Sequence, residues 1–215
     1  MRMPRRFVAA VAALFGAAVI APLPAQEWEV GAGGGASFFN RREISGPAGG
    51  AEARFRPGIG FTAFLGQGGD RIGGEIRYAW FNNDMEIASA AGRTQMGGRN
   101  QTVLYNLLLY TRSRKSAARG YVLVGGGVRQ FEGTGPDAAF QPAGRVAVLT
   151  RTSEWKPAVS VGGGVRLALR GKTHLRVEVL GLLSRPPTQV ITPVAGNLGG
   201  WFFSVSPMAA VSYVF

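Results

Sequence analysis

Between Trp201 and Phe215 every second side chain is apolar or aromatic: Trp201, Phe203, Val205, Pro207, Ala209, Val211, Tyr213 and Phe215. The alternate set, Phe202, Ser204, Ser206, Met208, Ala210, Ser212 and Val214, includes three serines. A two-residue period sends the two sets to opposite faces of a strand. Aromatic residues gather at both ends of the apolar set. That is the pattern of a strand crossing a bilayer between two interfacial girdles.

The same period recurs upstream. In 71–81, Ile72, Gly74, Ile76, Tyr78 and Trp80 oppose Arg71, Gly73, Glu75, Arg77 and Ala79. In 175–183, Leu175, Val177, Val179, Gly181 and Leu183 oppose Arg176, Glu178, Leu180 and Leu182. Weaker alternation runs through 28–39, 51–65, 101–112, 120–131 and 157–169, which brings the expected count to about eight strands. In 51–65, Phe55, Ile59 and Phe61 oppose Glu52, Arg54 and Arg56, with a bulge or bend expected at Pro57. The stretch 101–112 is apolar on both faces apart from Asn106, so its orientation stays open. Val124–Arg129 and Val161–Arg166 both read VGGGVR, in the same phase of their strands.

The connections implied by these strands alternate in length. Those at 40–50, 82–100, 132–156 and 184–200 are long, and those at 66–70, 113–119 and 170–173 are short. Long loops at one end and short turns at the other are the habit of membrane barrels. After residue 21 no apolar run approaches the roughly 20 residues of a spanning helix. A chain that spans a bilayer without such a helix must close into a barrel, because every backbone N–H and C=O needs a partner there. The expected fold is therefore all-β, a closed up-and-down antiparallel transmembrane β-barrel.

The first segment reads as an address. Arg2, Arg5 and Arg6 precede an apolar run, Phe7 to Ala21, that ends at Pro22 and Pro24, with the small Ala25 before Gln26. These are the parts of a secretory signal peptide. The expected organisation is a signal peptide over 1–25 and an outer-membrane barrel over 26–215. Only 17% of residues are charged, which suits a sheet whose outer face meets lipid. The net charge of +12 is read as affinity for anionic lipid, with no nucleic acid partner.

Chemistry is sparse. The chain has no cysteine and one histidine, His174, at an expected short turn. Gly31-x-Gly33-x-x-Ala36 matches a dinucleotide fingerprint as text, but no helix follows to meet a phosphate. No catalytic, cofactor-binding or metal-binding residue is assigned, and no cofactor is expected.

With its signal peptide, amphipathic strands, loop alternation and the ending Val211-Ser212-Tyr213-Val214-Phe215, the chain resembles the small OmpA/OmpX-type outer-membrane barrels of Gram-negative bacteria. The resemblance implies location in the bacterial outer membrane. It also implies recognition of Val211, Tyr213 and Phe215 by the outer-membrane assembly machinery as a membrane-insertion signal. No peptidoglycan-binding domain is expected after the last strand. The expected aromatic girdle is Trp28, Tyr78, Trp80, Trp201, Phe203, Tyr213 and Phe215. The expected barrel-interior charge network is Glu29, Glu52, Arg54, Arg56, Glu75, Arg77, Arg129, Arg166, Arg176 and Glu178, acting as a plug. Eight strands leave a bore that side chains fill.

The function expected is a structural or surface-interaction role through the long loops, with no enzymatic activity. Expected partners are outer-membrane lipids, both lipopolysaccharide and phospholipid, around a monomer. Arg41, Arg42, Arg93, Arg99, Arg145 and Arg151 are candidates for lipopolysaccharide phosphates. Arg112, Arg114, Lys115 and Arg119 form a basic patch at a short turn. Three alternatives stay open: a narrow anion-favouring, porin-like pore, a lipid-modifying outer-membrane enzyme, and a soluble lipocalin-like barrel with its apolar face inside.

Overall fold

The computed structural model describes residues 27–46, 49–135, 141–142, 144–194 and 198–215, so the expected signal peptide lies outside the described residues. Fourteen strands follow one another. They are β1 (Glu27–Phe39), β2 (Arg42–Gly46), β3 (Gly49–Phe55), β4 (Gly58–Gly68), β5 (Ile72–Asn82), β6 (Met85–Ser89), β7 (Gly92–Met96), β8 (Gly98–Tyr110), β9 (Ala118–Gly133), β10 (Ala147–Leu149), β11 (Ser153–Arg170), β12 (Thr173–Ser184), β13 (Ile191–Pro193) and β14 (Phe202–Val214).

Eight of them close a barrel in the order β1-β14-β12-β11-β9-β8-β5-β4, all pairs antiparallel. The expected barrel is thus the observed one, with an apolar face turned outward. Ile59, Ile76, Leu107, Val122, Val159, Val177 and Val211 are all exposed large hydrophobics on its wall. That arrangement rules out the lipocalin-like alternative, which keeps its apolar face inside. The strand left open resolves cleanly: Asn100, Thr102, Leu104, Asn106, Leu108 and Tyr110 of β8 point inward, and Val103, Tyr105, Leu107 and Leu109 outward.

The bore is narrow enough that bulky inward side chains need glycine opposite them. A Cβ on Gly31 would lie 2.3 Å from Cζ of Phe64, and one on Gly125 would lie 2.4 Å from Oδ1 of Asn106. At these two positions inward glycine makes room for a large inward neighbour on the adjacent strand.

The long connections hold the main departure from expectation, because they carry six more strands. β2, β3, β6 and β7 form one sheet, in which β3 pairs with β6 and so ties the first long connection to the second. β10 pairs with β13 and ties the third to the fourth. The two sheets share a core of Ile44, Ala53, Phe55, Met85, Ile87, Ala147, Leu149 and Ile191, closed by Phe131 and Phe202 from the barrel rim. The result is a small folded cap over one mouth. β9 and β11 run for 16 and 18 residues, beyond the roughly 9–11 that cross a bilayer, so their far ends brace the cap.

Pro57 explains one misreading. The stretch 51–65 is two strands, with Arg56 and Pro57 as the break between them. Phe55 is buried in the cap, whereas Ile59 and Phe61 face outward from the barrel, so the alternation changes phase at the break.

Candidate functional site: the lumen and its cap

Three strands separate β5 from β12 in either direction around the eight-stranded ring, so they stand on opposite walls. Both run from the short-turn end toward the cap. β5 reads Glu75-Ile76-Arg77, and β12 reads Arg176-Val177-Glu178. A spacing of two puts both members of each pair on the inward face. Glu75 therefore meets Arg176 across the lumen, and Arg77 meets Glu178. Nη1 of Arg176 lies 3.0 Å from Oε2 of Glu75, and Arg77 is bidentate on Glu178, with Nη2 donating to Oε2 at 3.0 Å and Nη1 donating to Oε1.

The two rungs are cross-braced. Nε of Arg77 donates to Oε1 of Glu75 at 2.8 Å, and Nη2 of Arg176 donates to Oε2 of Glu178 at 3.2 Å. The hydroxyl of Tyr121 donates to Glu178 and accepts from Nη2 of Arg176 at 3.0 Å. Asn106 donates to Glu75 at 3.1 Å and accepts from Ser160 at 2.6 Å. Phe64 lies beneath both guanidinium groups, 4.1 Å from Arg176 and 5.3 Å from Arg77. One level closer to the turns, Arg166 holds Glu29 at 3.1 Å. Three carboxylates and three guanidinium groups thus balance inside the wall.

Two more arginines close the ends. Arg119, expected in a basic turn patch, is buried instead. Its guanidinium stacks 3.5 Å over the Tyr110 ring and donates to the carbonyls of Arg112, Gly69 and Asp70, forming a floor. At the cap end Arg129 donates to Oδ1 of Asn100 at 2.9 Å and to Oγ of Ser204 at 3.0 Å, between the rings of Phe39 and Phe131. Above it Phe55 packs on Phe39, Phe131 and Phe202 at centroid distances of 4.7, 5.3 and 5.5 Å.

Of the ten charges expected inside, the structure brings together Glu29, Glu75, Arg77, Arg166, Arg176 and Glu178, and it sets Arg129 apart from them. Glu52, Arg54 and Arg56 are a correction. Glu52 and Arg54 lie on β3, and Arg56 on the connection after it, all outside the barrel. Pro57 breaks the strand that the alternation extends through them. On the cap's outer face Arg54 and Arg93 lie 2.7 and 3.2 Å from Oε1 of Glu86, Gln95 donates to Oε2 of Glu86 at 2.9 Å, and Glu52 lies 3.6 Å from Arg41. Arg119, Asn106 and Tyr121 were missed. The E-x-R and R-x-E spellings on facing walls were a signal that pairing could have used.

Arg129 has no carboxylate within ion-pair distance among the described residues, and its Nε has no acceptor. A buried charge without a counter-charge costs several kcal/mol, and removing it relieves that cost. Arg129→Met, which keeps the stack between two phenylalanines, is expected to stabilise the barrel by about 1–2 kcal/mol. The midpoint of urea unfolding in lipid vesicles checks this, and a lower midpoint would show that the bonds to Asn100 and Ser204 outweigh desolvation.

On the outer wall most aromatic residues fall into two groups, with Tyr105 between them opposite Ile76. Trp28, Tyr213 and Phe215 stand at the short-turn end, joined by Trp28 N to Phe215 O at 3.3 Å and the reverse bond at 2.9 Å. Phe61, Tyr78, Trp80, Trp155, Trp201 and Phe203 stand at the cap end, with Phe61 and Trp80 stacked at 5.7 Å. Val211 shares the exposed face with Tyr213 and Phe215.

Of the six loop arginines, Arg41, Arg93 and Arg99 are ion-paired to Glu52, Glu86 and Glu132, and Arg42 donates to the carbonyl of Trp201.

Neither a comparison with protein-family models nor one with curated protein sequences finds a match. Solved structures do match. Neisserial surface protein A superposes with a TM-score of 0.55 at 12% identity over 87% of this chain and 97% of that one. The outer membrane protein OprG from Pseudomonas aeruginosa gives 0.57 at 14% identity over 89% and 96%. A major outer membrane protein from Thermus thermophilus gives 0.56 at 12% identity over 89% and 100%. At such identities the likeness is one of fold. The chain has the fold of the small eight-stranded outer-membrane β-barrels of OmpA/OmpX-like type, and these structural neighbours are bacterial outer-membrane proteins.

Proposed function

We propose that the protein is an integral outer-membrane barrel that conducts no solute and serves as a rigid mount for a folded extracellular cap. The observation that carries this reading is the pair of ionic rungs across the lumen, Glu75–Arg176 and Arg77–Glu178, lying between an arginine floor and a phenylalanine ceiling. A solute would have to break several charge-assisted bonds in a water-poor interior. The cap supports the second half of the reading. Its outer sheet presents a polar, mixed-charge lattice around Glu86, held by its own hydrophobic core. Binding residues placed on a stiff scaffold suit a contact surface. The protein performs no chemistry of its own in this reading, and Val211, Tyr213 and Phe215 serve as the signal read by the assembly machinery. Lipopolysaccharide around the cap end and phospholipid at the turn end are the lipid partners of a monomer.

Two measurements test it. In a planar bilayer the purified protein is expected to give no unitary conductance, and a stable stepwise current selective for anions would replace the mount with a pore. The chain has no cysteine, so single introduced cysteines report sidedness. Ser45→Cys in the cap is expected to react with an impermeant maleimide on intact cells. Ala117→Cys at a short turn is expected to react only after permeabilisation. The opposite pattern would invert the barrel and remove the cap from the cell surface.

A further inference from the structure

The turn end of the barrel is unevenly charged. Arg71, Arg112, Arg114, Lys115, Arg170 and Lys172 lie there with only two outward acids, Glu27 and Asp70, among the described residues. Both acids are near one cation: Arg114 is 3.7 Å from Glu27 and 3.6 Å from Asp70. Arg71 donates to the carbonyl of Thr111. That leaves Arg112, Lys115, Arg170 and Lys172, all exposed and in no ion pair among the described residues.

These four are neighbours. Arg112 and Lys115 lie on the turn between β8 and β9, and Arg170 and Lys172 lie on and beside the turn between β11 and β12. β9 and β11 are paired, and Ala168 N donates to Ala117 O at 2.7 Å, which sets the two turns side by side. A register shift between Ala168 and Arg170 re-aims the end of β11, so Leu169 and Arg170 are both exposed. Leu169, 58% exposed, therefore sits on the lipid wall directly beneath a cation. Tyr213 lies opposite Thr173 on the next strand and closes the arc with an aromatic ring.

We infer that this arc is a binding site for anionic phospholipid, with Arg112, Lys115, Arg170 and Lys172 on the headgroup phosphate and Leu169 and Tyr213 against the upper acyl chain. It deepens the reading above, since it requires the barrel to sit in a bilayer. Cations adjoining an apolar wall favour a lipid phosphate over a soluble acidic partner, because the same ligand satisfies both surfaces. Basic residues at a bilayer surface enrich anionic lipid, and salt screens the effect.

The test uses β11 itself, which carries Trp155 at its cap end and Leu169 at its turn end. In one variant all four native tryptophans become Phe and Leu169→Trp is the reporter. In the other, Trp155 alone is kept. Each is placed in phosphatidylcholine vesicles containing a small fraction of chain-brominated phosphatidylglycerol or, separately, of chain-brominated phosphatidylcholine. The reporter at 169 is expected to be quenched at least about two-fold more by the anionic lipid, and the reporter at 155 equally by both. Changing Arg112, Lys115, Arg170 and Lys172 to Gln is expected to abolish the excess. Equal quenching at 169, or an excess at both positions, overturns the local site while leaving the bilayer reading intact. Absence of quenching by either brominated lipid overturns both.

Discussion

Arg176→Met is expected to lower the stability of the barrel by about 3–5 kcal/mol, the usual loss when one partner of a buried ionic cluster is removed. Arg176 reaches Glu75, Glu178 and the Tyr121 hydroxyl at once, so its loss leaves carboxylates facing each other across the lumen. Arg77 is already committed to both. The midpoint of urea unfolding in vesicles, followed by tryptophan fluorescence, reads the effect. Adding Glu75→Gln to the same chain restores the charge balance and is expected to recover much of the loss. An unchanged midpoint for the single variant would mean that water reaches the rungs and screens them, which would also reopen the question of conduction. The contrast with Arg129 is informative: one buried arginine is expected to be indispensable and the other a burden, because only one has carboxylate partners.

Phe55→Ala is expected to remove about 3–5 kcal/mol from the cap and leave the barrel intact. Phe55 is buried at the junction, in contact with Phe39, Phe131 and Phe202, while the ionic rungs lie deeper in the bore. The expected signature is a split. Protease added outside cuts the connections at 83–97 and 134–152, yet the membrane-embedded portion still migrates faster unboiled than boiled in SDS. If the heat-dependent shift disappears as well, cap and barrel unfold as one unit and the cap is no independent module.

The wall of the barrel was legible because its inside and outside differ at every step. β14 and β5 alternate cleanly, and β8 was ambiguous because its inward Leu104 and Leu108 join Leu123, Leu180 and Met208 in an apolar cluster inside the bore, so both of its faces are apolar. The cap was not legible. Its strands are three to seven residues long, and they bury Ile44, Ile87, Leu149 and Ile191 against partners from different connections. Apart from β3, most of which reads as the start of the strand 51–65, no local period announces such contacts, so the segments read as loops. The charge network failed on one side for the same reason. Glu52, Arg54 and Arg56 alternate as lumen residues do, but the phase break at Pro57 puts them on a different sheet. Arg119 lies one residue inside its strand, where a boundary error of that size moves a side chain from solvent to the floor of the bore.

The seam between β1 and β14 has a consequence for the timing of assembly. It joins the first described strand to the last, down to the paired amides of Trp28 and Phe215. Until β14 arrives, β1 and β12 are open edges whose N–H and C=O groups seek any strand they meet. Lipid offers those groups nothing, so without β14 two strands would carry unpaired backbone groups. A copy lacking β14 would leave both edges bare and is expected to aggregate.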